Sequence, residues 1–506
     1  MESWLEPLYD AEGMRAVDRW AIEEVGVPSL ELMEAAGRAV AEAVGELAPE
    51  GPVRVVCGKG NNAGDGLVAA RYLAEAGFEV EALLLWPAEE LSGDAAVSLE
   101  RFAAEQASGD LGPRLAGSGA IVDAIFGTGF AGEPREPARA AIAAIGACGA
   151  PVLACDIASG VDASSGEVAG VAVEADLTVG FHAAKVGHRV APGKWHTGEL
   201  RVASIGIPDG GPGEPVAGTI DAAVLDLAPR RGSRSTKFSS GQVTIAGGSR
   251  GLTGAVQMSS KAAIRAGAGY ATVAVPADLE AIFEQGQPEV MSVGCPGGDG
   301  CLAPASAKPL LRAFERAAAA VLGPGLGRDP ASVELAHEVL GAIEAPLVLD
   351  ADGLNAFAGE LGRIAAREAP TVLTPHAGEL GRLLGRTSEE VSERRLAAAR
   401  EAARAARAVV VLKGDDTIVT DGELVAVNAL SAPALATAGT GDVLSGIAAA
   451  LLARGLEPFA AACAAVIAHA RAGRDAAARI GAAESVIATD VIDSIAMGMS
   501  PARQVE

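Results

Sequence analysis

Aromatic side chains are scarce: three Tyr, four Trp and ten Phe make up 3% of 506 residues. The cores must therefore be built from Ala, Val, Leu and Ile, which suit closely packed helix and sheet layers. Basic charge is short as well. Sixty-five Asp and Glu against 40 Lys and Arg leave a formal net charge of −25. That field repels nucleic-acid phosphates and anionic lipid at long range, so no nucleic-acid or membrane partner is expected. Only seven of the basic residues are lysines (Lys59, Lys185, Lys194, Lys237, Lys261, Lys308 and Lys413), and arginine supplies the other 33. Codon bias accounts for such a skew, and a lysine that persists against it is a candidate for work a guanidinium cannot do. The six cysteines (Cys57, Cys148, Cys155, Cys295, Cys301 and Cys463) form no C-x-x-C pair. Most lie in apolar runs, where a free thiol acts as a small hydrophobe, and this fits a reducing compartment. The opening Met1-Glu2-Ser3-Trp4-Leu5-Glu6 lacks the basic and apolar regions of a signal peptide. Apolar runs such as Ile447 to Ala453 fall short of the ~20 residues that span a bilayer. A cytoplasmic location is expected.

What is present is apolar and periodic. Hydrophobic residues form 50% and charged residues 21% of the chain, enough for packed cores and too apolar for long disordered tracts. At roughly 100 to 200 residues per domain the length predicts about three domains and tolerates two large ones. The first half carries a helical pattern over Ser29 to Leu47, with Ser29 able to cap it and Glu31 in its first turn. Short β-branched runs follow, at Val53 to Cys57, Val80 to Trp86, Ile121 to Phe126, Val152 to Ile157 and Leu200 to Ile207, separated by Ala-rich helical segments. Nearly continuous apolar strands alternating with helices predict a mostly parallel, doubly wound sheet covered on both faces. The segments PDGGPGEP (208–215) and PRRGSRSTK (229–237) break this periodicity and place a domain boundary near residue 225. The pattern then restarts with strands at Gln242 to Gly247, Ala271 to Val275, Ala319 to Leu322, Leu347 to Leu349, Val372 to Leu373 and Val409 to Leu412. Two Ala/Leu-rich helices close it, at Asp442 to Ala453 and Pro458 to Ala477. This is a second three-layer α/β unit, and the halves share no motif.

In the first half, Gly58-Lys59-Gly60-Asn61-Asn62-Ala63-Gly64-Asp65-Gly66 follows a strand and opens a helix. Glycine permits close backbone approach, the helix start offers unpaired N–H groups to an anion, and Asn and Asp add directed donors and acceptors. A second cluster runs from Asp123 through Gly127-Thr128-Gly129-Phe130-Ala131-Gly132-Glu133, and a third from Asp156 through Ser159 to Asp162. In open parallel sheets ligands bind beyond the C-terminal strand ends, so the three clusters should converge on one crevice. Each Asp taken alone also reads as a loop cap.

In the second half, six polar segments end apolar runs: Gly247 to Ala255, Gly323 to Gly327, Asp350 to Asn355, Thr374 to Glu379, Leu412 to Thr417 and Thr437 to Asp442. Glycine N–H groups at the start of the helix after Gly439 form an anion hole, and the carboxylate of Asp442 can take a proton from a substrate hydroxyl. An N-cap is the other reading of Asp442. Lys413 ends a strand where an ammonium can reach nucleotide phosphates. His376 lies in a loop where it can meet a ligand or serve structure. Asp350 and Asp352 can hold Mg²⁺ through water or cap a loop.

The segments LYDAEGMRAVDRWAIEE, LELMEAAGRAV, GKGNNAGDG, DAIFGTG and DIASGVD together resemble the NAD(P)H-hydrate epimerase domain, over most of residues 8 to 210. The resemblance implies a Rossmann-like domain over residues 1–225. Its Asn61, Asn62, Ala63, Gly64 and Asp65, with Gly127, Thr128, Gly129, Phe130, Ala131, Gly132, Glu133 and Asp156, would contact the hydrated dinucleotide. Asn62, Asp123 and Ser159 would bind potassium, a hard cation suited to oxygen ligands. Ala63 and Ala158 stand where Gly and Pro are more usual. Asp156 is the candidate general acid or base for epimerisation, with Lys185 a second candidate that also reads as a surface or capping lysine.

From Lys237 to about Met499 the six segments resemble the ADP- or ATP-dependent NAD(P)H-hydrate dehydratase domain, a ribokinase-like fold, implied over residues 226–506. By that resemblance Ala255, Gly325, Gly327, His376 and Asp442 contact the hydrate, with Asp442 catalytic. Lys413, Gly414, Asp415, Asp416, Thr417 and Gly441 bind the adenine nucleotide, which carries Mg²⁺. Leu252 replaces the common aromatic residue. The joint expectation is a homo-oligomeric enzyme that repairs hydrated NADH and NADPH, epimerising R and S forms and dehydrating S. Its rival is a ribokinase-like small-molecule kinase whose first half is a non-catalytic binding module.

Overall fold

The computed structural model, which describes residues 2–48, 50–107, 109–208 and 210–501, contains a strand at every run named above, most of them buried on both sides and Glu199–Ala203 partly exposed. It divides into two units, Pro7–Gly218 and Glu2–Glu6 with Thr219 onward. The seam lies a few residues ahead of 225, because Ile220, Val224 and Leu225 are buried in the core of the second unit.

The sheet of the first unit has seven strands, in the order Glu105–Gln106, Val80–Leu84, Val53–Cys57, Ala120–Ala124, Val152–Cys155, Leu177–Phe181 and Glu199–Ala203. All its pairings are parallel. Side chains alternate between its faces: Val53, Val55 and Cys57 enter one core, while Val56 enters the other. Both cores are almost wholly Ala, Val, Leu and Ile. The helix Ser29–Leu47 forms as its pattern predicts, but Ser29 does not cap it. Pro28 occupies the cap position and no side chain bonds there. The chain builds outward from the central strand Val53–Cys57, then crosses over to Ala120–Ala124, so a topological switch point lies between these two strands. Their loops touch closely: a Cβ on Gly58 would stand 2.0 Å from the Ile125 carbonyl oxygen.

The second unit repeats this logic with other residues. Its sheet runs Ala217–Ile220, Val425–Val427, Ile418–Thr420, Val409–Leu412, Thr371–Leu373, Leu347–Leu349, Ala319–Leu322, Gln242–Ala246, Tyr270–Pro276 and Val290–Cys295, with Leu5–Leu8 at the edge beside Ala217–Ile220. From Val409–Leu412 to Val290–Cys295 the pairings are parallel; the two short strands after Val409–Leu412 are antiparallel. Its switch point lies between Gln242–Ala246 and Ala319–Leu322, where a Cβ on Gly247 would stand 2.2 Å from the Pro324 carbonyl oxygen. The helices Thr440–Ala453 and Pro458–Ile480 pack against it through Ala-rich faces. Among the described residues no helix is long and apolar enough to cross a membrane.

Candidate active sites

A cavity of 630 Å³ opens at the first switch point, lined in part by Asp18, Asn62, Asp65, Asp156 and Lys185. Asp156 follows the strand Val152–Cys155 with φ of 65°. The Ile157 N–H donates to the Cys155 carbonyl at 2.7 Å, which makes Asp156 the centre of a tight turn of the rare positive-φ kind. Such a backbone costs about 1–3 kcal/mol for a non-glycine residue and persists where its surroundings hold it. The carboxylate is well held. Oδ1 accepts from Lys185 Nζ at 2.5 Å and from the Phe181 N–H at 3.3 Å, and Oδ2 accepts from the Thr128 N–H at 3.1 Å and from the Thr128 hydroxyl. Lys185 is 1% exposed and also donates to the Phe181 carbonyl at 2.9 Å. Burial alone would raise the Asp156 carboxyl, but the Lys185 charge and the hydrogen bonds from Lys185 and Thr128 outweigh it and hold the group at about 2.

Asp65, near the start of the helix Asn61–Glu75, shifts the other way. Burial, then the charges of Asp156 and Asp18, push it well above the carboxylate range. Asp18, from the helix Ala11–Trp20, is raised to about 6 by burial and by Asp156. The cavity thus sets a carboxyl held low beside Lys185 against two carboxyls pushed upward, the separation of states that acid–base chemistry needs.

Next to these groups, Asp123 is fully buried. Its Oδ1 accepts from Ser159 Oγ at 2.6 Å and the Ile125 N–H at 3.2 Å, and its Oδ2 from the Ser159 N–H at 2.8 Å. Burial nonetheless raises it to about 6. Beside Gly127 lies the Asn62 side chain, whose amide is buried with neither Oδ1 nor Nδ2 hydrogen-bonded among the described residues. Such a group costs about 1–3 kcal/mol. Of the chain's few aromatics, Phe126 stacks on Phe130 at 4.4 Å and approaches Trp86 at 6.3 Å, and all three line the same cavity.

In the second unit, Lys413 follows the strand Val409–Leu412 and places Nζ 3.3 Å from Asp350 Oδ1 and 3.6 Å from Glu379 Oε2. Asp350, 1% exposed, also accepts from Thr374 Oγ1 at 2.7 Å. A Cβ on Gly441 would stand 3.3 Å from Lys413 Nζ, so the first turn of Thr440–Ala453 presents its N–H groups beside the ammonium. Asp442 lies in that turn and makes no cap; Gly439 holds the cap position. Burial, then the Asp350 charge, raise Asp442 to about 7 against the pull of Lys413, the range of an effective base at neutral pH. An adjoining cavity of 270 Å³ is lined by Lys413, Thr417, Gly441 and His469 among others. His469 bonds the Thr440 backbone, burial lowers its pKa to about 4, and its Nε2 has no partner among the described residues.

A family model described as YjeF-related protein N-terminus matches residues 29–187, and one described as NAD(P)H-hydrate dehydratase matches residues 243–497. The chain is 40% identical to the bifunctional NAD(P)H-hydrate repair enzyme Nnr of Salinibacter ruber, over 98% of this chain and 96% of that one. It is 39% identical to the protein of the same name from Moorella thermoacetica, over 96% and 95%. The chain belongs to the bifunctional NAD(P)H-hydrate repair enzyme family. A solved ADP/ATP-dependent NAD(P)H-hydrate dehydratase from Bacillus subtilis, co-crystallized with ATP/Mg²⁺, is 27% identical over 54% of this chain and 94% of its own, with a TM-score of 0.45. The repair-enzyme chain is Rossmann-like in its first unit and ribokinase-like in its second, as the motifs imply.

Not every motif residue of this repair-enzyme chain reaches a cavity. In the first unit Asn61, Asn62, Asp65, Gly127, Thr128, Gly129, Phe130 and Asp156 line it together with Lys185. Ala63 and Gly64 do not. Both are buried in helix packing, and a Cβ on Gly64 would stand 2.6 Å from Met33 Sδ. Ala131, Gly132 and Glu133 lie outside the lining as well, Glu133 beside Gly170. In the second unit Lys413, Gly414, Asp415, Thr417 and Gly441 line the 270 Å³ cavity, but Asp416 turns inward. At 1% exposure it receives Arg395 Nη2 at 2.8 Å and Nε at 2.9 Å, and so anchors the loop from behind. Ala255 packs against Gly325, where a Cβ would meet it at 3.2 Å. The Gly327 N–H donates to Asp352 Oδ2 at 3.1 Å, while Asp352 Oδ1 accepts from Arg328 and Asn355, so Asp352 clamps loops. His376 caps the helix Ala377–Leu384, its Nδ1 accepting from the Gly378 N–H at 3.0 Å, with Nε2 3.5 Å from Glu379 Oε1. The residues missed by sequence reasoning are Asp18, Trp86, His188, Glu379 and His469. Asp18 and Glu379 lie inside quoted motifs, and His188 follows Lys185 by three residues, so proximity to the motifs was their only signal.

Proposed function

We propose that the first unit interconverts the R and S hydrates of NADH and NADPH, and that the second dehydrates the S form with ADP or ATP. The carrying observation is that each unit holds its own acid–base centre beside a lysine: Asp156 with the buried Lys185, and Asp442 within the field of the half-buried Lys413.

Epimerisation requires the hydroxyl-bearing nicotinamide carbon to open or ionise, and water to re-add from the other face. Burial and the neighbouring carboxylates favour the protonated form of Asp65, which can give a proton to the departing oxygen; Asp156 is held ionised and can take one from the incoming water. The Lys185 ammonium balances the charge of Asp156 through the cycle. Potassium fits the cluster of Asn62, Asp123 and Ser159, which offers hard oxygen donors and an amide lacking any partner among the described residues. When bound it would supply fixed positive charge against the buried Asp123.

In the second unit Asp442 removes the proton of the substrate hydroxyl, and that oxygen attacks the terminal phosphoryl of the nucleotide. The N–H groups of the helix start and the Lys413 ammonium meet the charge on the phosphoryl oxygens. The ring nitrogen lone pair then expels phosphate from carbon, and loss of a ring proton restores the dihydronicotinamide. In balance, hydrate and ADP give NAD(P)H, AMP and phosphate; with ATP the nucleotide product is ADP. His469 Nε2 is left to accept from a nucleotide donor. Magnesium carried with the nucleotide would be held by Asp350, whose Oδ1 is committed to Thr374 and Lys413 while Oδ2 accepts no bond among the described residues, and would neutralise phosphate charge. Six free cysteines, four of them buried, fit work in a reducing cytoplasm.

A ribokinase-like kinase would share the first step and release a stable phosphorylated product. The test supplies S hydrate and ADP and follows phosphorus and ultraviolet absorbance together. Free phosphate should appear in step with the reduced-nicotinamide band, and a stable phosphate ester without that band would overturn the assignment.

A further inference from the structure

The strained turn at Asp156 is held from a side that faces away from the cavity. His188 is 1% exposed and absent from the cavity lining. Its Nδ1 accepts the backbone N–H of Lys185 at 3.1 Å, and its Nε2 lies 2.8 Å from the backbone carbonyl oxygen of Asp156. An N–H can only donate, so Nδ1 carries no proton. The proton of the neutral ring is then on Nε2, which donates to the Asp156 carbonyl. Burial, then the Lys185 charge, lower the imidazole pKa to about 3, which keeps the ring in this neutral form across the working range. Room for it is made by Gly180, where a Cβ would stand 3.1 Å from His188 Cε1.

We propose that His188 is a positioning residue for epimerisation, one ring that pins the backbones of Asp156 and Lys185 so that carboxylate and ammonium meet at the cavity wall. This rests on the reading of the first unit given above. The physical need is specific. At φ of 65° Asp156 would relax to an ordinary backbone if released, and its carboxylate would swing away from Thr128 and Lys185. The Asp156 N–H is tied to the Val179 carbonyl at 2.8 Å, so His188 supplies the hold on the other side of the residue. A misplacement of about 1 Å at a reacting group costs on the order of 10²-fold in rate.

Three variants separate the two contacts. His188→Gln retains a donor near the Nε2 position, His188→Asn retains an acceptor near the Nδ1 position, and His188→Phe retains ring volume with neither. Each is assayed in the full chain for conversion of R to S hydrate, with dehydration of pure S hydrate by the same sample as an internal standard of active protein. We expect His188→Phe to lose on the order of 10²-fold in epimerisation kcat with little change in KM. His188→Gln should recover at least about tenfold over Phe, and His188→Asn should recover less than Gln. If Gln and Asn recover equally, or if Gln is no better than Phe, the bond to the Asp156 carbonyl is not what positions the site. If Phe does not yield folded protein, Gln within about tenfold of wild type and above Asn supports the role, and Gln at or below Asn overturns it. Wild-type rates in all variants overturn it also. A wild-type chain that cannot interconvert the epimers overturns the reading of the first unit and this inference with it. A wild type that does so while Phe keeps its kcat overturns the inference alone.

Discussion

Lys185 donates through Nζ to Asp156 Oδ1 at 2.5 Å, and the lysine is 1% exposed. A buried ammonium is tolerated because a carboxylate faces it, and the carboxylate stays ionised because of the ammonium. Asp156→Asn should therefore reduce use of R hydrate by at least about 10²-fold, while dehydration of pure S hydrate by the same protein proceeds at the wild-type rate. Stopped assays on each separated epimer check this, and loss of both activities would show that the units are not independent.

Asp442 makes a prediction about stability as well as rate. Its folded pKa of about 7 lies above its ordinary value of 3.8, so the folded state binds the proton more tightly than the unfolded one. Its contribution to stability therefore falls as pH rises from about 4 through 7. Asp442→Asn should abolish dehydration and yet melt higher than wild type at pH 8, by about 2–4 °C after discounting for partial solvent screening. The difference should vanish near pH 4. Calorimetry at the two pH values reads it directly.

Adjacent aspartates should behave oppositely. Asp416 is locked to Arg395 behind the loop, whereas Asp415 lines the cavity and accepts from Ser431 at 2.5 Å. Breaking a buried pair from one side costs about 3–5 kcal/mol, so Asp416→Asn should depress the melting of the second unit markedly. Asp415→Asn should leave melting within about 0.5 kcal/mol of wild type and act mainly on nucleotide KM.

Asn62 carries a buried amide without partners among the described residues. Asn62→Ala removes a group that costs the ligand-free protein about 1–3 kcal/mol, so thermal stability should be equal to or above wild type. Epimerisation should fall by at least about tenfold, and replacing potassium by sodium should slow wild type far more than this variant. Parallel melting curves and rates in the two salts test both halves.

The fold was legible where burial is two-sided. Ala319 to Leu322 and Val409 to Leu412 are uninterrupted apolar runs, Val53 to Cys57 is broken only by Arg54, and the strands there end where the runs do. Leu177–Phe181 was not legible, because Thr178 and Gly180 dilute its run, and Gly180 answers to His188 rather than to strand preference. Val425–Val427 is too short to stand out from its turns. Motif loops at strand ends were readable because their glycines and carboxylates cluster. Side-chain direction was not. Nothing local distinguishes Asp415 from Asp416, since the partner that turns Asp416 inward lies 21 residues earlier, at Arg395. Asp18 sits inside a helix, and only tertiary packing brings it to the cavity.

The central claim is that one chain repairs both epimers of the hydrated cofactor. It is tested most directly by giving the purified protein a mixture of R and S hydrate with excess ADP and following the return of reduced-nicotinamide absorbance to its end point. Recovery of nearly all the cofactor is the predicted result, with Asp156→Asn stopping at the S fraction. A wild-type end point at the S fraction would contradict the account.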